Sequence, residues 1–289
     1  MSLPSKPLPE PNRSFPEPMP IAPEPLPIPL ETAPLERWIM APPPRRFPAW
    51  SWWDTVAVLG FTVFMVFAFS VAALAIARIF PDLRRMPLTD LATDVRIVVG
   101  AQAAAYPIVL IFMFLLVRSR SGERFLDAIR WRWPVVSAPG FFIGGTVLAI
   151  AIEGLTRFLP IPKSLPMDKY FHDAPSAYLL AAFGLSLAPL LEELFFRGML
   201  YPLLRRTFGL GIAVALTAAA FAAIHGAQLG YAWGPILSIF VVGIVFTITR
   251  ARTDSVAASF LMHCGYNFAL FAALWVASDH FRHLEKVAG

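Results

Sequence analysis

Residues 55–77 read TVAVLGFTVFMVFAFSVAALAIA, a run of apolar and small side chains without a charge. At about 1.5 Å per residue, an α-helix of this length crosses a hydrocarbon layer of roughly 30 Å. Trp52 and Trp53 stand at its edge, where aromatic side chains anchor membrane helices. The stretch therefore predicts a transmembrane helix. The rest of the chain is then expected to fold in contact with lipid.

The rest of the chain repeats this pattern. Because a backbone in lipid must satisfy its own hydrogen bonds, we expect each further apolar segment to be a helix. The segments are 97–117, 139–159, 176–206, 209–227, 233–249 and 255–277. The expected fold is an all-α integral membrane bundle of seven helices, or eight if the long fourth segment is interrupted at Pro189.

Composition supports a membrane protein and excludes a nucleic-acid partner. Hydrophobic side chains make up 57% of the chain and charged ones 15%, which is too apolar for an ordinary soluble domain. The net charge of +5 comes from Lys and Arg clustered in short loops beside the apolar segments. With seven spans, fifteen of these 24 residues fall on the side of the N-terminus, which predicts that this terminus is cytoplasmic.

The termini differ from the apolar remainder. Residues 1–50 contain sixteen of the 28 prolines, a density that abolishes helix and strand hydrogen bonding, so we expect a disordered, proline-rich tail there. N-terminal transmembrane helices are predicted over 51–170, a catalytic transmembrane core over 171–279, and a short tail over 280–289. Neither a cleavable signal peptide nor an intrachain disulfide is expected.

Polar side chains are concentrated in the last third of the chain. Glu192 and Glu193 lie about a dozen residues before the turn near Gly209, and His225 lies sixteen residues after it, so both helices of this hairpin carry them roughly 20–24 Å from the turn. His263 lies about 14 Å beyond the next turn on the same side of the membrane. Buried ionisable groups are costly in lipid, so three helices delivering them to one layer predicts a functional cavity.

Spacing within each helix refines this prediction, because residues four apart share a face. Glu193 and Arg197 are placed to pair with each other, and Glu192 points to another face. His263 and Asn267 are likewise four apart, so an imidazole and an amide project together toward the space that Glu192 and His225 surround.

Three motifs follow one another on successive apolar segments: EELFFR at 192–197, FAAIH at 221–225 and HCGYN at 263–267. Together they resemble the EExxxR, FxxxH and HxxxN/D motifs of the CAAX-protease and bacteriocin-processing (CPBP, Abi-like) family of intramembrane metalloproteases. The resemblance covers about residues 175–270 and implies an endopeptidase with its cavity in the last four helices. It implies that Glu192 activates water with help from His225, while His263 and Asn267 bind water or metal or stabilise the oxyanion. The implied catalytic residues are Glu192, Glu193, Arg197, His225, His263 and Asn267.

A metal is a further expectation. Neutral imidazoles and a carboxylate suit Zn²⁺, which lowers the pKa of bound water to about 7, and the implied ligands are Glu192, His225 and His263. The chain lacks the HExxH motif of soluble zinc proteases. Water activation by a carboxylate without metal therefore stays open.

The resemblance leaves the substrate open. A membrane protein or lipidated peptide is the expected partner, and the plasma membrane of a bacterium is the expected location. Two alternatives belong to other classes: a non-proteolytic immunity or scaffold protein that binds a peptide or protein, and a transporter. A transporter is disfavoured, because its buried charges would follow a pathway across the membrane instead of clustering at one depth.

Overall fold

The computed structural model describes residues 47–284, and these residues are helical without a strand. Short segments are Pro81–Arg84, Leu88–Ala92, Phe125–Ala128 and the 3-10 helix Pro166–Tyr170. The main helices are α1 (Trp52–Ala77), α2 (Val95–Ser121), α3 (Ala138–Thr156), α4 (Ala174–Gly184), α5 (Leu187–Glu193), a π-helical segment (Leu194–Leu200), α6 (Tyr201–Phe208), α7 (Leu210–Ile224), α8 (Trp233–Thr253) and α9 (Val256–Ala277).

Six helical stretches within 47–284 are long and apolar enough to cross a membrane; α4 to α6 together form one of them, Ala174–Phe208, over 35 residues. The outer surface of the helices also indicates a membrane protein, because it carries many exposed large apolar side chains, such as Val63 and Phe67 of α1 at 63% and 66% exposed. A soluble protein rarely exposes so much contiguous apolar surface. The chain is therefore an integral membrane protein, and its described part, 47–284, is all-helical. The predicted count of seven or eight spans is not confirmed, because α7 has 15 residues and extends only about 22 Å.

Close packing joins α3 to α9, which carries part of the predicted site. A Cβ on Gly265 would lie 1.9 Å from the carbonyl oxygen of Phe142, and one on Gly145 would lie 1.9 Å from that of Met262. Only glycine permits such an approach, as is common where membrane helices cross. The two glycines therefore fix how near α9 lies to α3.

Aspartates cap the starts of α2 and α4. Asp94 accepts the backbone N–H of Arg96 at 2.9 Å, and Asp173 accepts that of Ser176 at 2.7 Å. A hydrogen bond from the Arg96 side chain lowers the pKa of Asp94, and a hydrogen bond from Ser176 lowers the pKa of Asp173. Both carboxylates thus stabilise the start of a helix when ionised.

The predicted tails fall largely outside the described residues. Of the proline-rich tail predicted over 1–50, residues 1–46 lie outside, and so do residues 285–289 of the tail predicted over 280–289. The division of the membrane part at residue 170 stays a prediction.

Candidate active site

The site begins at an interruption in the Ala174–Phe208 span. Pro189 has no N–H to give to the carbonyl of Leu185, and α4 ends at Gly184 before α5 starts at Leu187. The break thus lies just ahead of Pro189, where the sequence predicted one. The freed Gly184 carbonyl accepts the Asn267 side-chain amide at 2.7 Å. Asn267, predicted to face the cavity with His263, here holds the broken helix in place.

Glu193 is the centre of a buried polar network. Its side chain has no exposed surface, and its Oε1 accepts Arg197 Nη1 at 2.8 Å. The same oxygen lies 3.0 Å from His263 Nδ1, and Oε2 accepts the Ser259 hydroxyl at 2.7 Å. Both carboxylate oxygens therefore accept from protein donors, and burial shields them from the cavity. Glu193 serves to hold its neighbours in place.

Arg197 is also completely buried, in the middle of the π-helical segment. Besides Glu193, it donates to the Thr247 hydroxyl at 3.3 Å and to the Gly243 carbonyl at 3.1 Å, both on α8. Its guanidinium carbon lies 4.5 Å from the ring centre of Phe221, a cation–π distance. Neutral and aromatic partners thus surround a single ion pair. The predicted pairing of Glu193 with Arg197 is present in the structure.

His263 is oriented by this network. Because its Nδ1 faces the Glu193 carboxylate, which can only accept, Nδ1 carries a proton, and in the neutral ring the lone pair is then on Nε2. Nε2 lies 3.8 Å from Glu192 Oε2. The ring packs at 4.8 Å against Phe246. Glu192 and Glu193 therefore lie near the two different nitrogens of the same imidazole, although helical spacing predicted that these glutamates point to different faces.

His225 follows the last residue of α7. Its Nδ1 lies 2.8 Å from the carbonyl oxygen of Phe221, so this nitrogen is the donor and Nε2 is left for other partners. The Phe221 ring lies 4.9 Å from His225 and 5.7 Å from His263. Phe221 thus stands between the two histidines, as a residue one turn before His225 can.

Glu192 and His225 line one cavity of about 360 Å³. Glu192 keeps 20% of its side chain exposed, whereas its neighbour Glu193 has none. The apolar wall includes Val95, Val99, Leu180, Phe183 and Phe271. The polar groups on the wall are Gln102, Tyr106, Tyr170, Glu192, His225 and Gln228. An apolar cavity with a few convergent polar groups is the usual form of a ligand site.

The structure thus joins Glu192, Glu193, Arg197 and His263 by direct contacts, and it adds His225 through the shared cavity. Sequence reasoning missed several residues. Gln102 and Tyr106 on α2 face the cavity, and their four-residue spacing inside an apolar span was the signal available. Ser259 and Thr247 gave no signal, because hydroxyl residues are ordinary in membrane helices.

The predicted zinc ligands do not come together as a metal site. Among residues 47–284, no group of three or more His, Cys, Asp or Glu side chains is arranged to hold a metal ion. Glu192 and His263 approach each other to 3.8 Å, while the Nδ1 atoms of His225 and His263 are engaged by Phe221 and Glu193. The fit to zinc is therefore incomplete, and no chemical step is derived through a metal.

Fold and site together define a membrane-embedded protein with a buried carboxylate and imidazole centre at a mostly apolar cavity. Residues 174–269 match the model of a protein family described as type II CAAX prenyl endopeptidase, Rce1-like. This match confirms the resemblance drawn from the three motifs and places this part of the chain in the CPBP/CAAX-protease family. It indicates a CAAX-type intramembrane protease. No curated protein and no solved structure gives a significant match to the chain.

Proposed function

We propose that this protein is an intramembrane endopeptidase in which Glu192 activates a water molecule to hydrolyse a peptide bond. The observation that carries the proposal is the different surroundings of the two adjacent glutamates. Glu193 is engaged by Arg197, His263 and Ser259, whereas Glu192 opens into the cavity beside the free nitrogen of His263. A carboxylate that touches the cavity and is not engaged in this way is suited to act as a general base.

The geometry supports a specific position for the water. Glu192 Oε2 and His263 Nε2 are 3.8 Å apart, so one water at about 2.8 Å from each can donate a hydrogen to both. Glu193 fixes the His263 tautomer that makes Nε2 an acceptor. The polarised water then attacks the scissile carbonyl carbon, and its proton passes to Glu192.

The remaining steps return the enzyme to its starting state. Attack gives a tetrahedral oxyanion, which polar groups of the cavity wall stabilise. The Tyr106 hydroxyl, which donates to Gln102 Oε1 at 3.2 Å, can turn to the oxyanion when it forms. Glu192 gives its proton to the leaving nitrogen as the C–N bond breaks, leaving a carboxylic acid and an amine. His225 assists by offering Nε2 to water or substrate from the same wall.

The substrate we propose is a membrane-associated protein or a lipidated or hydrophobic peptide tail. The apolar part of the wall, including Val95, Leu180, Phe183 and Phe271, matches a hydrophobic chain beside the scissile bond. We further propose a bacterial plasma membrane with the N-terminus in the cytoplasm. In this arrangement α7 is the fifth crossing along the chain and, although it is short, brings the number of crossings to seven.

Cleavage of a hydrophobic-tailed peptide, with and without a lipid, tests the proposal in purified protein. We expect Glu192→Gln to lower kcat by about 10²–10⁴-fold, because it removes the general base but keeps the shape. Glu153→Gln is the matched control, since Glu153 is a glutamate exposed on α3, outside the cavity wall. Unchanged hydrolysis in Glu192→Gln contradicts the assignment. Peptide binding without hydrolysis by the parent supports the scaffold alternative instead.

Zinc is tested in the same preparations. Metal analysis before and after chelation, followed by zinc add-back, measures whether turnover follows the bound metal. Loss and recovery of activity would establish Zn²⁺ at Glu192, His225 and His263 and require these residues to close further around it. Equal activity after complete metal removal would establish the metal-free route.

A further inference from the structure

A second cavity, of about 500 Å³, lies at the ends of α6 and α8. Arg205 on its wall follows Glu192 by thirteen residues along the Ala174–Phe208 span, so the cavity is about 20 Å from the proteolytic centre. The two cavities share no lining residue. The proposed hydrolysis makes no use of this second cavity, which we call the arginine cavity.

The arginine cavity carries a surplus of positive charge. Its wall contains four arginines, from three separate parts of the chain, and one acidic residue; the arginines are Arg130, Arg205, Arg206 and Arg250. The acidic residue, Asp254, is already shared: Arg250 binds it at 2.8 Å and Arg132 at 3.0 Å, with Arg130 at 3.8 Å. The wall therefore presents more cationic donors than its own carboxylate can neutralise.

Two of these arginines have only neutral partners among residues 47–284. Arg205 donates to the Tyr201 hydroxyl at 2.9 Å, and Arg206 donates to the Pro48 carbonyl at 2.9 Å. Basic residues at the end of α6 also suit the negative end of a helix dipole. The same explanation applies to Arg250 in the last turn of α8, but it does not extend to Arg130, which lies in a turn after Phe125–Ala128, and it does not account for the meeting of all four at one cavity. Convergence from separate elements indicates a site for an anion.

The surroundings indicate which anion. The rings of Trp52, at the start of α1, and Phe208 lie 6.5 Å apart, so aromatic side chains of the kind found at membrane interfaces lie at the end of α6. Guanidinium groups bind phosphate oxygens in pairs, and basic pockets between membrane helices at the interface bind phospholipid headgroups. Here the arginines meet at the level where such headgroups lie.

We propose that the arginine cavity binds the phosphodiester headgroup of an anionic phospholipid. Arg205 and Arg206 supply exposed donors to the phosphate, and Arg250 forms the buried floor, with Asp254 holding it in place. The bound lipid would tie the end of α6 to the end of α8 and to the loop that carries Arg130. Its role is binding and stabilisation, separate from hydrolysis of the peptide bond.

The test compares lipids on delipidated protein in detergent, by native mass spectrometry and by thermal unfolding. The probes are phosphatidylglycerol, phosphatidylcholine with the same acyl chains, and inorganic phosphate. We expect phosphatidylglycerol to bind and stabilise most. The double variant Arg205→Gln/Arg206→Gln should weaken its binding at least tenfold, because it removes two charge-assisted hydrogen bonds to the phosphate. Arg252→Gln is the control, as Arg252 is exposed in the same turn but outside the cavity wall.

Each other outcome overturns the proposal. Equal binding of phosphatidylcholine would mean that charge does not select the lipid. Stabilisation by inorganic phosphate equal to that by phosphatidylglycerol would mean a soluble anion site. An effect of Arg252→Gln as large as that of the double variant would mean diffuse attraction by the whole surface. The comparison of lipids on the parent needs no variant, so it decides the matter even if a variant folds poorly.

Discussion

Glu193→Gln is expected to destabilise the protein strongly, although it changes one atom and keeps the side-chain shape. Glu193 is fully buried and accepts hydrogen bonds from Arg197, His263 and Ser259. Glutamine leaves Arg197 buried beside neutral groups. It also turns one acceptor into a donor that faces other donors.

The magnitude follows from the burial of this ion pair. Removing one partner of a buried pair costs about 3–5 kcal/mol, because the other charge is left uncompensated in a medium that solvates it poorly. For a unit of this size, about 2–4 °C per kcal/mol gives a fall of roughly 6–20 °C in Tm. Glu192→Gln provides the matched comparison: Glu192 is 20% exposed and its nearest charged partner is 3.8 Å away, so we expect a change within about 1 kcal/mol.

Thermal unfolding in one detergent, followed by circular dichroism or a thiol-reactive dye on Cys264, measures both variants. A third variant, Glu193→Gln/Arg197→Met, removes both charges and should recover part of the lost stability, since an apolar pair in place of a buried ion pair is often neutral. The reasoning is refuted if Glu193→Gln unfolds within about 2 °C of the parent, or if Glu192→Gln is the more damaging change.

Three more outcomes are expected from other parts of the molecule. Gly265→Ala should lower the free energy of unfolding by about 1–3 kcal/mol, because its Cβ would lie 1.9 Å from a carbonyl oxygen of α3. Gly154→Ala, whose Cβ would have nothing within 4 Å, should be neutral or stabilising in the same unfolding assay. Tyr106→Phe should lower kcat for peptide cleavage about tenfold or more with little change in Tm, since it removes one donor from the cavity wall; an unchanged kcat would remove Tyr106 from the reaction. The hydrogen bond from Ser176 lowers the pKa of Asp173, so the stabilising effect of the Asp173 carboxylate is complete above the unfolded value of 3.8 and is lost as pH falls through the lower folded value. Below about pH 4, the stability of Asp173→Asn should therefore fall less than that of the parent. Parallel curves of stability against pH for the two proteins would contradict this.

Much of the fold was predictable, because lipid restricts a chain to helices whose lengths match the membrane. Six of the seven predicted spans correspond to helices long enough to cross, with ends displaced by a few residues. The seventh, predicted over 209–227, is the 15-residue helix α7. Apolar composition alone did not reveal that this helix is short, since the turn after His225 is made of equally apolar and small residues.

The membership of the site was also predictable. An ionisable side chain in lipid is costly unless it contacts another polar group or water. Equal distances from the turns predicted that these side chains lie at one depth, and contacts join Glu192, Glu193, Arg197 and His263 in the structure. Asn267 shows the limit of this reasoning. Its spacing predicted that it projects with His263 toward the cavity. In the structure its side-chain amide instead donates to the carbonyl of Gly184, at the break before Pro189.

The order of residues was enough to indicate a helical membrane protein with acids, imidazoles and an arginine at one level, because hydropathy and helical rise follow from that order alone. Which glutamate is engaged by protein donors, and which opens into the cavity, follows instead from contacts between helices. That distinction depends on partners from α8 and α9, Thr247, Ser259 and His263, whose approach is set by glycine contacts between helices far apart in the chain. Local spacing carries no information about such contacts, since it describes one helix at a time.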